Sequence, residues 1–288
     1  MVSQSGEPTD SRGHGGRVLN ILGVANQKGG VGKTTMAVQV ASGLALGGFR
    51  VLLVDLDHQA SATQNVGVDI NARNHLGVWL PHNTGEPEIV STSIVNLDVL
   101  PADVSLADEE WRAIEKGVDP RTIARKLRGP VLAERYDWMI LDMPPSLAFW
   151  AHVGFATAQR ILVPLMPALF ELTGFRQIVT RVNAIRFGPY RDQAIALNPS
   201  LRFLGVVLNM VDRRAVMDRN GVELLDGVVP PELIFRTEIP RAQAIRTAQV
   251  AGLPVFSTHD RSSVAVAYAN LVKEVVERWG GQQAPSEA

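Results

Sequence analysis

Apolar positions along this chain fall into two alternating patterns. Leu19, Ile21, Leu22 and Val24 read as a buried strand, and the unbroken Val/Leu run within Arg50–Asp57 suits a strand covered on both faces of a parallel sheet. Further strands are expected at Ile94–Leu100, in the run from Tyr136 that ends in Asp142, at Arg160–Pro164 and at Arg202–Met210. Between them, apolar residues recur at helical spacing over Met36–Leu46, Leu106–Lys116, Thr122–Ala133, Ala148–Ala158, Leu169–Phe187 and Arg261–Trp279. Asn71–Thr84 is loop-like, with a short helical stretch at His75–Leu80, and Trp79 and Trp111 read as core or lid packing. Strands alternating with helices predict an α/β fold: a doubly wound, mostly parallel sheet flanked by helices. One domain over 18–279 is expected, with a disordered polar tail at 1–17 and a flexible tail at 280–288.

The most informative stretch joins the first strand to the first helix: Lys28-Gly29-Gly30-Val31-Gly32-Lys33-Thr34-Thr35. Glycines let backbone N–H groups turn inward around an anion, and the following helix presents its positive end to the same charge. Lys33 would reach the terminal phosphates of a nucleotide, and the Thr34 hydroxyl would ligate Mg²⁺. An ordinary glycine-rich turn would not need a strand before it and a helix behind it. The usual opening glycine is replaced by Gln27, and Lys28 follows, a second lysine too early in the loop to grip the same phosphates.

Carboxylates fall where α/β sheets place their ligands. Asp55 and Asp57 close the second strand, and a carboxylate there can orient an attacking water and tune the Mg²⁺ shell. His58 beside them reads as surface loop variation rather than a catalytic base. Asp142 ends another apolar strand, the layout of a carboxylate that holds the water shell of Mg²⁺. Pro144-Pro145 must then leave regular structure, and that turn is expected to sense a γ-phosphate.

Composition narrows the class. The 288 residues are 46% hydrophobic and 20% charged, enough to bury a large core, and the net charge of −1 announces no global basic field. The chain has no cysteine, which excludes thiolate-held metal and iron–sulfur sites. No apolar run approaches the length of a membrane span, and the first 17 residues lack the apolar core of a secretory signal.

The loop resembles the signature of the deviant Walker A ATPases of the ParA/MinD type. Asp55-Leu56-Asp57-His58-Gln59-Ala60-Ser61-Ala62-Thr63 is similar to that family's second motif, with His58 at its usual proline and Ala60 at a frequent glycine. Asp142-Met143-Pro144-Pro145 resembles its third motif. The resemblance spans roughly residues 18–279 and implies ATP and Mg²⁺ as cofactors. It implies nucleotide contacts from Lys28, Gly29, Gly30, Val31, Gly32, Lys33, Thr34 and Thr35, with Lys33 acting in cis and Lys28 reaching across a homodimer. It makes Asp57 the hydrolytic aspartate, places Thr34, Asp57 and Asp142 around the metal, and sets Asn209 and Pro240 of Ile239-Pro240-Arg241 beside the adenine.

The resemblance also implies slow, partner-stimulated ATP hydrolysis that positions a plasmid, a chromosome or a protein cargo. Non-specific duplex DNA of the nucleoid would be the track, a ParB-like or other cargo adaptor the stimulating partner, and the location cytoplasmic, with no membrane partner. Arg213, Arg214, Arg236, Arg241 and Arg246 are the candidate DNA contacts, although arginines interleaved with acids also describe a solvated face. A MinD-like membrane-associated ATPase would need a basic amphipathic end, whereas the residues from Gly280 are polar. A nucleotide-locked scaffold with negligible turnover is the other alternative, and Asp57 speaks against it.

Overall fold

The computed structural model describes residues 18–69, 75–83, 85–146, 148–167, 171–188, 196–212, 214–215, 225 and 229–281. In chain order the strands are β1 (Asn20–Val24), β2 (Val51–Asp55), β3 (Val90–Ser91), β4 (Leu97–Leu100), β5 (Trp138–Asp142), β6 (Arg160–Leu165) and β7 (Arg202–Leu208). They form one sheet in the order β3-β4-β2-β5-β1-β6-β7, parallel throughout except for the antiparallel β3–β4 edge. The helices are α1 (Lys33–Leu46), α2 (Ser61–Asn65), α3 (Leu106–Glu115), α4 (Arg121–Leu127), α5 (Pro130–Arg135), α6 (Phe149–Thr157), α7 (Glu171–Phe187), α8 (Ala244–Val250), α9 (Val255–Thr258) and α10 (Ser263–Gly281).

The apolar runs have the physical cause their pattern suggests. Alternate residues of one strand enter opposite cores. Leu52 and Val54 of β2, with Met139 and Leu141 of β5, pack on the face covered by α3, α4 and α6. Val51 and Leu53, with Trp138 and Ile140, pack on the face covered by α1 and α10. A strand buried on both sides cannot alternate with polar residues.

Four departures from the sequence expectations have local reasons. Thr122–Ala133 is two short helices, because Gly129 is extended and Pro130 opens α5 without an N–H to offer. The strand expected from Ile94 starts at Leu97, after a turn in which Asn96 takes a left-handed φ of 65° and the Leu97 N–H donates to the Ile94 carbonyl at 3.1 Å. The strand expected through Met210 stops at Leu208, and Met210 is left-handed at φ 56°. Trp79 is buried as expected, but Trp111 is 75% exposed, on the outer face of α3.

The segment after β7 extends the sheet edge. Ile234 bridges to Val206 and Pro240 to Val211, both in parallel sense. The buried Glu274 of α10 holds this segment, accepting the backbone N–H groups of Arg236 and Thr237 at 2.9 and 3.0 Å. α10 is itself anchored by Arg160, whose guanidinium stacks on Trp279 and donates to the Arg278 and Trp279 carbonyls.

Candidate nucleotide site

The strand order gathers the chemistry at one end of the sheet. β1 lies between β5 and β6, and β5 between β1 and β2, so the carboxyl ends of β1, β2 and β5 are side by side. The register makes Asp55 and Asp142 direct neighbours, with Val24 on the other side of Asp142. The glycine loop leaves from β1 at this point.

Asn26 sets the departure of the loop. It is buried; its amide donates to the Pro164 carbonyl at 2.8 Å, and its Oδ1 accepts the Lys28 N–H at 3.1 Å. Gly30 and Gly32 then take φ of 77° and 85°, where a side chain would be strained. A Cβ on Gly29 or Gly30 would meet nothing within 4 Å, so this part of the loop faces open space. Gly32 is closed on one side by Asn209, whose amide donates to the Val31 carbonyl at 2.7 Å and would collide with a Cβ at Gly32. Asn209 therefore fixes the shape of the loop from the end of β7.

Lys33 folds back over the loop, its ammonium donating to the Lys28 carbonyl at 3.1 Å. Burial pulls its pKa down, while Asp142 and Asp57 nearby favour the charged form. Lys28 itself is exposed at the rim. The two lysines thus occupy different environments five positions apart.

The carboxylates divide by their partners. Asp55 is fully buried and satisfied: it accepts from the Asp57 N–H at 3.1 Å, the Thr63 N–H at 2.9 Å and the Thr63 hydroxyl at 2.8 Å. Desolvation still pushes its pKa up to about 6. Its bonds fold Asp57–Thr63 into a tight turn, in which Asp57 accepts the Gln59 N–H at 3.0 Å. Asp57, 15% exposed, faces the site, while His58 lies 3.7 Å from it with its ring 45% exposed.

Asp142 is the opposite case. It is fully buried, and neither carboxylate oxygen makes a hydrogen bond of good geometry, the Thr34 hydroxyl alone lying near enough to act as a weak donor. Desolvation, first, and Asp55, second, raise its pKa well above the usual carboxylate range, although Thr34 and Lys33 lie close enough to favour the charged form. A buried carboxylate short of good donors is costly unless a cation completes it. The oxygen donors here, Asp142, Asp57 and the Thr34 hydroxyl, suit Mg²⁺, which keeps several waters and takes one or two carboxylates together with phosphates. Among the described residues no group of three or more His, Cys, Asp or Glu forms an all-protein metal cage.

The expected base contacts are brought together. Asn209 directly follows β7 and, two residues on, the Val211 N–H donates to the Ile239 carbonyl at 2.9 Å while Val211 bridges to Pro240. Of the candidate arginines, Arg241 directly follows Pro240, its N–H donating to the Val211 carbonyl at 3.2 Å. Arg214, Arg241 and Arg246 are exposed, and Arg213 lies outside the described residues. Arg236, 78% exposed, is held by Glu277 at 2.9 Å and approaches Glu274 at 3.8 Å. Sequence reasoning missed Asn26 and Thr63 as organisers of the two loops, because an Asn after a strand and a Thr near a helix start read only as turn residues.

Strand, glycine loop and helix, with carboxylates on two neighbouring strand ends, define a P-loop nucleotide-binding domain. A family model described as an AAA domain matches residues 19–194. The chromosome partitioning protein ParA of Caulobacter vibrioides is 32% identical over 272 residues, 92% of this chain and 97% of that protein. Among solved structures, the cobyrinic acid a,c-diamide synthase of Mycobacterium smegmatis, with bound ATP analogue and magnesium, superposes with a TM-score of 0.76 at 28% identity, covering 94% of this chain and 100% of that one. The septum site-determining protein MinD of Pyrococcus horikoshii, complexed with Mg-ADP, gives 0.70 at 25% identity, covering 93% and 99%. The chain belongs to the ParA/MinD family of partitioning and positioning ATPases.

Proposed function

We propose that this ATPase, one unit over residues 18–279, closes into an ATP-dependent homodimer that binds duplex DNA non-specifically and moves or positions a cargo through an adaptor that stimulates hydrolysis. The observation that carries this reading is the division between the two loop lysines. Lys33 is turned into its own loop, whereas Lys28 stands exposed at the rim with its backbone held by Asn26. A lysine so placed can complete the site of a second copy facing it.

In this reading the loop from Lys28 to Thr35 binds the phosphates through backbone N–H groups and Lys33, with Lys28 of the facing copy closing the site. Asp142 and Thr34 hold the metal's ligand shell, and Mg²⁺ supplies charge neutralisation at the phosphates when bound. Asp57, fixed by the turn on Asp55, orients the attacking water. The Asn209 side chain and Pro240 border the base. Met143 and Pro144, buried directly after Asp142, start the turn that responds to the γ-phosphate. DNA contact falls to the exposed Arg214, Arg241 and Arg246, with Arg213 of the same stretch and, least, Arg236, whose charge Glu277 offsets. Among the described residues no helix is long and apolar enough to cross a membrane.

The test is binding to non-specific duplex DNA with ATP, ADP or no nucleotide across a salt series, alongside the dimer population. ATP-dependent, salt-sensitive binding is expected, with Lys33→Ala losing nucleotide, Lys28→Ala keeping nucleotide but losing the dimer, and Asp57→Ala accumulating a DNA-bound dimer. An intact ATP dimer that ignores DNA at every salt concentration would remove the DNA track.

A further inference from the structure

Thr35 closes the glycine loop, and its side chain has a partner from the far end of the chain. The Gln249 amide nitrogen donates to the Thr35 hydroxyl oxygen at 2.9 Å, across 214 residues of sequence. A hydroxyl has one proton to give and two lone pairs to receive with. When the amide occupies a lone pair, the hydroxyl proton remains available for another acceptor, and hydrogen bonds in series polarise one another so that this O–H becomes a better donor. Thr35 sits in the first turn of α1, where an anion in the loop would meet the unpaired N–H groups of the helix.

The chain that follows Gln249 is anchored at two points. Gly252, at φ 63°, ends the turn after α8, and a Cβ there would come within 2.7 Å of the Gly67 Cα, so the two backbones touch directly. Farther on, the Val255 N–H donates to the buried Gln39 Oε1 of α1 at 3.0 Å. The segment carrying Gln249 is thus docked on α1, behind the glycine loop, and on the chain leaving α2, behind the Asp57 turn.

We propose that Gln249 is a positioning residue of the nucleotide site: its amide orients the Thr35 hydroxyl as a hydrogen-bond donor to a bound phosphate oxygen. This rests on the loop being the nucleotide site. A mere staple between α8 and α1 would hold the helices together without altering what Thr35 offers a ligand.

The experiment compares full-length Gln249→Leu, Gln249→Glu and Gln249→Asn, alone and combined with Thr35→Ala. ATP affinity is measured by titrating a fluorescent ATP analogue with Mg²⁺, and the melting temperature is measured without nucleotide. Gln249→Leu is expected to weaken ATP binding about fivefold, the order of one hydrogen bond. Gln249→Asn, whose amide is one methylene short, should weaken it similarly with the nucleotide-free melting temperature unchanged. Gln249→Glu should weaken it more, because a carboxylate accepts the Thr35 proton and turns it away from the phosphate. In the Thr35→Ala background none of the three should cost further affinity. Undiminished ATP affinity in the Leu and Asn variants, with or without a lower melting temperature, would overturn the proposal, as would the same fold-loss in both backgrounds. Wild-type protein that binds no ATP would overturn the loop assignment itself, and the proposal with it.

Discussion

Asp142 and Asp55 stand opposite each other on neighbouring strands, both fully buried, and only Asp55 has well-formed hydrogen bonds. Each holds its proton to higher pH than in the unfolded chain. Their contribution to stability is therefore complete below the unfolded carboxyl value of 3.8 and is lost as pH rises through each raised folded value, which for Asp55 is about 6. His75 and His152 act in the opposite sense: burial lowers both from 6.5, so unfolded imidazoles take up protons first and stability falls with falling pH. Asp142→Asn isolates the carboxylate. Thermal melts of the nucleotide-free protein should show the variant gaining on its parent as pH rises above the unfolded carboxyl value of 3.8, by about 1–3 kcal/mol once the buried carboxylate is ionised. A difference that stays flat with pH would mean that Asp142 carries no electrostatic strain. The same substitution should remove the Mg²⁺ dependence of ATP binding.

Elements meet in this fold through glycine as well as through apolar side chains. Gly252 and Gly48 both have left-handed φ, 63° and 92°, but Gly252 lies against the Gly67 backbone and Gly48 against nothing within 4 Å. Gly48→Ala should cost only the conformational strain, about 1 kcal/mol, whereas Gly252→Ala adds overpacking and should cost about 3 kcal/mol. Denaturant midpoints would separate the two, and equal losses would show that α2 and α8 are not in firm contact. The exposed Trp111 gives a second contrast. Trp111→Ser should stay within about 0.5 kcal/mol of the parent, while Trp150→Ala, which opens the core and leaves the Leu106 carbonyl without its indole donor, should cost about 3–5 kcal/mol.

At the scale of the whole molecule, charge distribution matters more than net charge. Arg241 and Arg246 are exposed, while Arg236 is paired with Glu277. Replacing Arg241 and Arg246 together by alanine should weaken duplex binding evenly across sequences and flatten its salt slope by about two. Arg236→Ala should leave the slope in place and lower the melting temperature slightly, since it loosens the sheet-edge segment from α10. A slope lost with Arg236 and kept without the other two would reverse this assignment.

The alternation of apolar runs and helical periods was enough to determine the α/β class, because a strand buried on two faces has no other composition available. The glycine loop was legible for a similar reason: left-handed φ at Gly30 and Gly32 demands glycine, so backbone geometry writes itself into the residue types. Asp55, Asp57 and Asp142 were visible as acids at strand ends. Their different states were not, since burial and donors come from β5 lying between β1 and β2 and from Thr63 folding back on Asp55. The helix boundary at Gly129 and the strand start after Asn96 were blurred because single-residue turns leave the hydrophobic period intact. What only the tertiary structure decided were the contacts between residues far apart in sequence: Asn209 on the loop carbonyl, Glu277 on Arg236, Gln249 on Thr35. Local pattern carries burial and backbone conformation, but a hydrogen bond across some two hundred residues exists only once the sheet order has brought its two ends together.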